Sequence, residues 1–368
     1  MRRVFHDTSS AQSGTFLDNT KNHEYSTADV VMLGVACDLT ASYRKGSRHG
    51  PKAIVNASYQ AEYATPGFYV PLTDRVRIHN KGIIQCPNTF DDDGSLHSFR
   101  PGAIEQHLED MVDMTKEMAV DTFKDGKKLM LFGGDHSVPN GVWHAISELY
   151  DPKKVTVLQI DGHLDLRDEL DGTKYSHACI MRRAREKGFQ VLQVGPRDHV
   201  SEEEAKYISN EGISKDIYFC ATQPQIFYDT FSGKINSRAI EIENLIFNGK
   251  LNREQRSSLY QKVASSEHLW ITIDVDGFSA HHTPGTGTPL PFGLRQDKIR
   301  DFLYGLIRVI HDRDIRLLGF DINEVAPQQQ KNGIYSVDNS VSTMDEMNAA
   351  LLAYNLLFWE YIDRFISA

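Results

Sequence analysis

The chain has 368 residues, 40% of them hydrophobic and 24% charged, with a formal net charge of -10. This composition gives ample core for one large α/β domain or two smaller ones. The acidic balance, without any Lys/Arg-rich block, argues against nucleic acid or an anionic membrane as the main partner. No apolar run approaches the roughly 20 residues that span a bilayer. The N-terminus MRRVFHDTSSAQSGTF has no hydrophobic stretch of a secretory signal. The 4 cysteines, Cys37, Cys86, Cys179 and Cys220, are far apart and form no C-x-x-C pair. Reduced thiols in a cytoplasmic protein are therefore expected.

Residues 1–28 are polar and aperiodic, which predicts an extended N-terminal arm ahead of one domain over 29–368. Val30 to Val35 reads as a strand, followed by a Gly-rich loop and a helix opening near Pro51, where proline is tolerated in the first turn. Residues 65–100 read as irregular, with an acidic turn DDDG at 91–94 and with Phe68 and Tyr69 expected to narrow a pocket. After Pro101, Ile104, Leu108, Met111, Thr115, Met118 and Thr122 repeat at helical spacing up to Asp125-Gly126. Lys128–Phe132 is a strand that runs into GGDHS and a helix to about Tyr150.

The most informative stretch is VTVLQIDGHLD at 155–165. A continuous apolar run, as in a strand buried on both faces, stops at Asp161, His163 and Asp165, spaced two apart. A helix follows over about Ser176 to Gly188, then a strand Gln190–Val194 ending in GPRD and a helix from Glu202 to Ser209. Residues 213–266 read as loop, one short strand and a helix near Arg253 to Val263. His268–Ile273 is a strand ending in DVD, Leu294–His311 a helix, Arg316–Phe320 a strand ending in DINE, and Thr343–Ile366 one long helix. Alternating strands and helices without an internal repeat predict a single-domain three-layer α/β/α fold with a mainly parallel sheet.

Separate strands thus end in Asp135-His136, in Asp161, His163 and Asp165, in Asp274 and Asp276, and in Asp321 and Glu324. In a parallel sheet these ends emerge on one edge, where open α/β folds place their sites. That much negative charge needs a counterion in a cleft. Oxygen-rich ligation with some imidazole and no thiolate suits Mn2+, with Ni2+, Co2+ or Fe2+ as alternatives. The set is large enough for a pair of divalent cations about 3.5–4 Å apart, the spacing of hydrolytic pairs.

GGDHS at 133–137, DGHLD at 161–165, SHA at 176–178 and DVDGFSAHHTPGTGTP at 274–289 resemble the ureohydrolases, the arginases, agmatinases and related guanidino hydrolases. The likeness runs from about Val30 to the C-terminus and implies the arginase-like fold. It implies that His136, Asp161, Asp165 and Asp274 bind one Mn2+, and Asp161, His163, Asp274 and Asp276 the other, with Asp161 and Asp274 bridging. It further implies that His177 shuttles a proton and that Glu324 holds the substrate guanidinium. The chemistry is consistent: metal-bound water supplies hydroxide near neutral pH, a facing carboxylate orients a planar cation, and an imidazole protonates the leaving amine. Asp165 is placed to accept a hydrogen bond from that hydroxide.

The chain departs from the family pattern at Gly162, usually Ala, and at Ser279-Ala280, usually Asp-Pro. His281 and His282 read as incidental, and Arg197 of GPRD as packing support. LRDELDGTKYS lacks the segment with which arginases bind the amino-acid end of arginine, and SHACIMRR looks closer to agmatinases. Asp168, Glu169 and Asp171 are candidates for a distal ammonium, or simply a solvated acidic turn. The resulting expectation is release of urea from a small cationic guanidino compound, agmatine leading, with guanidinobutyrate, guanidinopropionate and guanidine as alternatives. A homo-oligomer, trimer or hexamer, is also implied by the resemblance. A single-zinc deacetylase of shared topology and a non-catalytic scaffold are the competing classes.

Overall fold

The structure is a computed structural model that describes residues 5–7, 15–18, 21–61, 70–87, 103–221, 244–327 and 344–366. The acidic turn at 91–94 and residues 68 and 69 lie outside the described residues. The strands are β1 (Phe5–Asp7), β2 (Val30–Ala36), β3 (Ile78–Gln85), β4 (Lys128–Phe132), β5 (Val155–Ile160), β6 (Gln190–Val194), β7 (Ile217–Ala221), β8 (Asn244–Phe247), β9 (His268–Asp274) and β10 (Arg316–Asn323). They form one 10-stranded sheet in the order β1-β3-β2-β4-β10-β9-β5-β6-β7-β8. Only β1 runs antiparallel, against β3; the other pairings are parallel.

The layers follow from the apolar faces. Ile54, Leu259, Val263, Ile299, Phe302, Leu306 and Leu356 pack on one face of the sheet, from helices Gly50–Ser58, Arg253–Val263, Gln296–Asp312 and Met344–Glu360. Leu108, Met111, Phe123, Trp143, Ile146, Ile180 and Ile208 cover the other, from helices Ala103–Lys124, Asn140–Leu149, Ile180–Glu186 and Glu202–Glu211. Strands β2 and β5 are buried along their whole length, as a parallel sheet covered on both faces requires. The three-layer α/β/α architecture is therefore as the alternation of elements implied.

Differences from the sequence reading concern strands with polar residues. Ile78–Gln85 alternates buried and half-buried positions through His79 and Lys81, so it lacks the solid apolar run of its neighbours. The span 213–266 holds two strands, β7 and β8, not one. Phe5–Asp7 of the arm adds the antiparallel edge strand, and Phe16 and Leu17 are fully buried, with the Leu17 amide donating to Ser58 Oγ at 2.9 Å. The final helix is broken after Glu360 and resumes at Asp363. The break lets Tyr361 donate to the Asp29 carbonyl and lets Arg364 pair with the Asp29 carboxylate at 3.0 Å.

β10 contains a register shift between Leu317 and Gly319 against β9, as β2 does between Met32 and Gly34 against β3. Gly319 has φ 155°, and a Cβ there would lie 2.0 Å from the Leu129 carbonyl oxygen. No side chain fits, because the bulge presses backbone against the neighbouring strand. Gly319→Ala is expected to cost at least about 2 kcal/mol by overpacking the sheet centre. Urea denaturation checks this; a midpoint equal to that of the parent would contradict it.

Candidate metal centre

Five adjacent strands, β2, β4, β10, β9 and β5, deliver their carboxyl ends to one place. After β4 the chain must run flat against its neighbours. A Cβ on Gly134 would sit 1.7 Å from the Cys37 carbonyl oxygen, and one on Gly133 1.8 Å from Asn323 Oδ1. Only glycines permit this approach, and it carries His136 into the interior.

There His136 Nδ1 lies 2.9 Å from Asp161 Oδ2, 3.2 Å from Asp165 Oδ2 and 3.5 Å from Asp274 Oδ2. His163 Nδ1 lies 3.0 Å from Asp276 Oδ2 and 3.6 Å from Asp161 Oδ1. Two ligand-type groupings result, with donor atoms within 4.8 Å of one another: His136, Asp161 and Asp274, and Asp161, His163 and Asp276. Asp161 is common to both. Asp274 falls in the first grouping alone, and Asp165 joins through its contact with His136.

The charges are set against each other. Burial, then the Asp161 charge, pushes Asp165 up to about 8. Burial, then Asp276 and Asp161, holds Asp274 well above the carboxylate range. Burial works against protonation of His136, but Asp161, Asp165 and Asp274 outweigh it and raise its pKa well above the usual value. His163 is raised in the same way, against burial, chiefly by Asp276 and Asp161. Asp161 is lowered despite its burial, by both imidazoles.

Hydrogen bonding then says what the cluster is built for. Thr272 Oγ donates its single proton to Asp321 Oδ1 at 2.6 Å, so toward His136 Nε2, at 2.8 Å, it can only accept. A neutral His136 therefore carries its proton on Nε2. Its Nδ1 lone pair then faces three carboxylates without a hydrogen-bond partner. A lone pair aimed at anions is repulsive unless a cation sits between them. These residues fit divalent metal ions of the oxygen- and nitrogen-binding kind. Among the described residues no cysteine enters either grouping.

The supporting groups sit inside the strands. Gln159 Nε2 donates to Asp161 Oδ2 at 2.6 Å, and Gln193 Nε2 fixes Gln159 through its Oε1 at 2.7 Å. Gly162 N and Thr288 Oγ each donate to Asp276 at 3.0 Å. Asp198 Oδ2 lies 3.5 Å from His163 Nε2. Glu324, at the end of β10, is buried with φ 63° and accepts from the His136 amide at 3.0 Å. Asp165 also has a positive φ, 54°, and two such strained carboxylates at one site are what function tends to retain.

Some sequence expectations are corrected here. Asp321 is not at a strand end beside the cluster; β10 runs on to Asn323, and Asp321 is a buried acceptor for Trp270, Thr272 and Asn323. Asp135 also points away from His136, toward Thr40 and Ser137. A cleft of about 310 Å³ opens above the centre, lined by His163, Asp165, Arg167, His177, Asp198, His199, Glu204 and Thr288 among others. Asp168, Glu169 and Asp171 do not line it, and Asp168 is taken by Arg183 at 2.7 Å. His281 and His282 belong to neither grouping. Arg197 is indeed packing support: its guanidinium donates to the carbonyls of Asp276, Gly277, Phe278, Leu290 and Pro291. Its Nη1 would lie 2.8 Å from a Cβ on Gly162, which accounts for the missing alanine there.

The arginase-family sequence profile matches residues 28–218 and 235–357. The chain belongs to the arginase family. Similar proteins include the N(1)-aminopropylagmatine ureohydrolase of Synechocystis, 28% identical over 347 residues and covering 94% of this chain and 93% of the relative. The agmatinase of Pyrococcus horikoshii is 26% identical, covering 83% of this chain and 86% of its own. The agmatine ureohydrolase of Thermoplasma volcanium has the same fold, with a TM-score of 0.65 at 21% identity over 94% of this chain and 93% of that one. The chain is thus an agmatinase-like ureohydrolase, a hydrolase of C–N bonds in linear amidines and metal-binding like its family. Among the described residues no helix is long and apolar enough to cross a membrane.

If His136, His163, Asp165 and Asp274 hold the metal, its uptake displaces protons from groups whose pKa the site raises. Affinity should therefore fall as pH drops through about 8, the value to which Asp165 is raised, and binding should release protons. Calorimetry in buffers of different ionisation heat measures this, and uptake without proton release would contradict it. His163→Ala or Asp276→Ala is expected to bind one fewer ion per chain by elemental analysis.

Proposed function

We propose that the protein hydrolyses a guanidino compound to an amine and urea, with agmatine the leading substrate. The observation that carries this reading is the pair of ligand groupings sharing Asp161, reached from a cleft that His163 and Asp165 line. His136, Asp161, Asp165 and Asp274 would hold one cation, and Asp161, His163, Asp274 and Asp276 the other, Mn2+ being the best match and Ni2+ or Co2+ the alternatives. When bound, such ions act as Lewis acids that make water nucleophilic near neutral pH.

The chain supplies the rest. Asp165, on the cleft wall, orients the attacking water by accepting its hydrogen bond. Glu324 is assigned to the guanidinium: its Oε1 is anchored by the His136 amide, and Oε2 faces the space left by Gly287, where a Cβ would approach to 2.9 Å. Burial, then Asp274 and Asp135, raises Glu324 well above its usual pKa, so an incoming cation relieves the crowding. His177, half-buried on the same cleft and held below its usual pKa by burial, passes a proton to the leaving amine.

On the cleft wall Asp198 is an acidic group whose Oδ1 accepts from the His199 amide at 2.7 Å and whose Oδ2 lies 3.5 Å from His163 Nε2, while Glu204 is engaged by Leu166 and Ser201. An ammonium tail, as in agmatine or its aminopropyl derivative, suits Asp198. Arg167 on the same wall favours a second reading, a guanidino acid such as guanidinobutyrate. We extend the reading to a cytoplasmic homo-oligomer, trimer or hexamer, measurable by light scattering.

A panel of agmatine, aminopropylagmatine, guanidinobutyrate, guanidinopropionate and guanidine, scored for urea with Mn2+, Ni2+ and Co2+, tests the proposal. Two bound metals without urea from any member would support a scaffold instead. Asp198→Asn should raise KM for agmatine about 10-fold and leave KM for guanidinobutyrate less affected at equal metal content, which is measured in parallel because Asp198 also lies 3.5 Å from His163 Nε2. Glu324→Ala should keep both metals and lose at least about 100-fold in kcat; full activity would remove it from the guanidinium site.

A further inference from the structure

Thr40, just beyond β2, touches no member of the two ligand groupings, yet its hydroxyl sits between the fully buried Asp135 carboxylate and the His177 imidazole on the cleft. Thr40 Oγ is 2.9 Å from Asp135 Oδ2, and the Thr40 amide donates to the same oxygen at 2.8 Å. The Ser137 amide, at 3.1 Å, and the Ser137 hydroxyl donate to Oδ1. Donors thus converge on both oxygens of Asp135, which suits a carboxylate that can only accept.

On its other side Thr40 Oγ is 3.1 Å from the His177 amide nitrogen and 3.2 Å from His177 Nδ1. A hydroxyl has one proton and two lone pairs. With the proton given to Asp135, both lone pairs accept, one from the His177 amide and one from Nδ1–H. We infer that Thr40, held by Asp135, is a positioning residue that keeps His177 in the Nδ1–H tautomer with its Nε2 lone pair free for proton transfer at the cleft.

Ser176 Oγ also lies near Nδ1, at 3.4 Å, but it caps the following turn by accepting from the Ala178 amide at 3.4 Å. Its own proton can turn toward Nδ1 and favour the opposite tautomer. Thr40 decides the balance because its contact is shorter and its proton is committed elsewhere. The tautomer is a property of the hydrogen-bond chain. Only its consequence for rate rests on the proton-transfer role proposed above for His177.

The test uses the metal-loaded full chain and the variants Thr40→Val, Thr40→Ser, Ser176→Ala and His177→Gln. Carbon-13 signals of labelled histidine, with the His177 signal assigned by its loss in His177→Gln, report the tautomer. The inference expects the Nδ1–H form in the parent, in Thr40→Ser and in Ser176→Ala, and a shift toward Nε2–H in Thr40→Val. It also expects Thr40→Val to lose about 10- to 100-fold in kcat with KM and metal content unchanged, and Thr40→Ser to recover most of it. An unchanged tautomer in Thr40→Val overturns the inference, as does loss of metal or of fold in that variant with the tautomer kept in Thr40→Ser. Full activity of His177→Gln would instead overturn the proton-transfer role, while the tautomer measurement still decides for or against Thr40.

Discussion

The site depends on one electrostatic constraint: Asp161, Asp165 and Asp274 crowd a single buried imidazole nitrogen within 3.5 Å. Carboxylates gathered around one nitrogen in a dry interior repel strongly unless they share protons or a cation. The parallel sheet creates this arrangement by ending adjacent strands on one edge. The glycines after β4 make it tight by letting the His136 loop lie on the backbone of Cys37, just past β2, and against Asn323 of β10. Stability is thus given up locally in exchange for a place where a divalent ion is the most favourable occupant. Strained backbone at Asp165 and Glu324 belongs to the same trade.

Two hydroxyls organise two of the imidazoles at this charge, His136 and His177, and they do it in opposite senses. Thr272, committed to Asp321, takes the Nε2 proton of His136 and leaves Nδ1 toward the carboxylates. In our reading Thr40, committed to Asp135, takes the Nδ1 proton of His177 and leaves Nε2 toward the cleft. In both cases a buried acid fixes the direction of a threonine, and the threonine fixes a histidine. Asp135 and Asp321 are therefore accounted for without being ligands.

Much of the site was legible because ligand-type residues at the ends of apolar strands have little structural reason to recur. His136, Asp161, His163, Asp165, Asp274 and Asp276 meet as their positions suggested. What was not legible lay inside the strands. Gln159, Gln193, Thr272 and Asp321 are fully buried polar residues in runs that read as apolar, and their partners come from neighbouring strands that only the fold brings near. A glutamine or an aspartate in a strand covered on both faces is itself a signal, since it must be paired there. Strand β3 escaped for a related reason: its half-buried positions tolerate His79 and Lys81, so periodicity was weak. In sequence the acidic run at 168–171 reads as either an ammonium site or a solvated turn, because composition cannot tell a free carboxylate from one, like Asp168, already paired with Arg183.

The division between reacting end and tail end explains why family membership does not fix the substrate. In the reading proposed above, the groups assigned to the guanidinium side are buried and tied into the sheet: Asp161 through Gln159 and Gln193, Asp276 through Gly162 and Thr288, Glu324 through His136. Changing any of these leaves an unpaired polar group, so relatives of quite different substrate can share them. The other side of the cleft is made by loop residues, with Asp198 and His199 after β6 and Arg167 after β5, Asp198 lying between His163 and His199. Arg167 and Asp198 present opposite charges to the same 310 Å³ of space. A tail with an ammonium must approach Asp198 and avoid Arg167, and a tail with a carboxylate must do the reverse. Selectivity then arises as much from the charge each tail must avoid as from the one it meets.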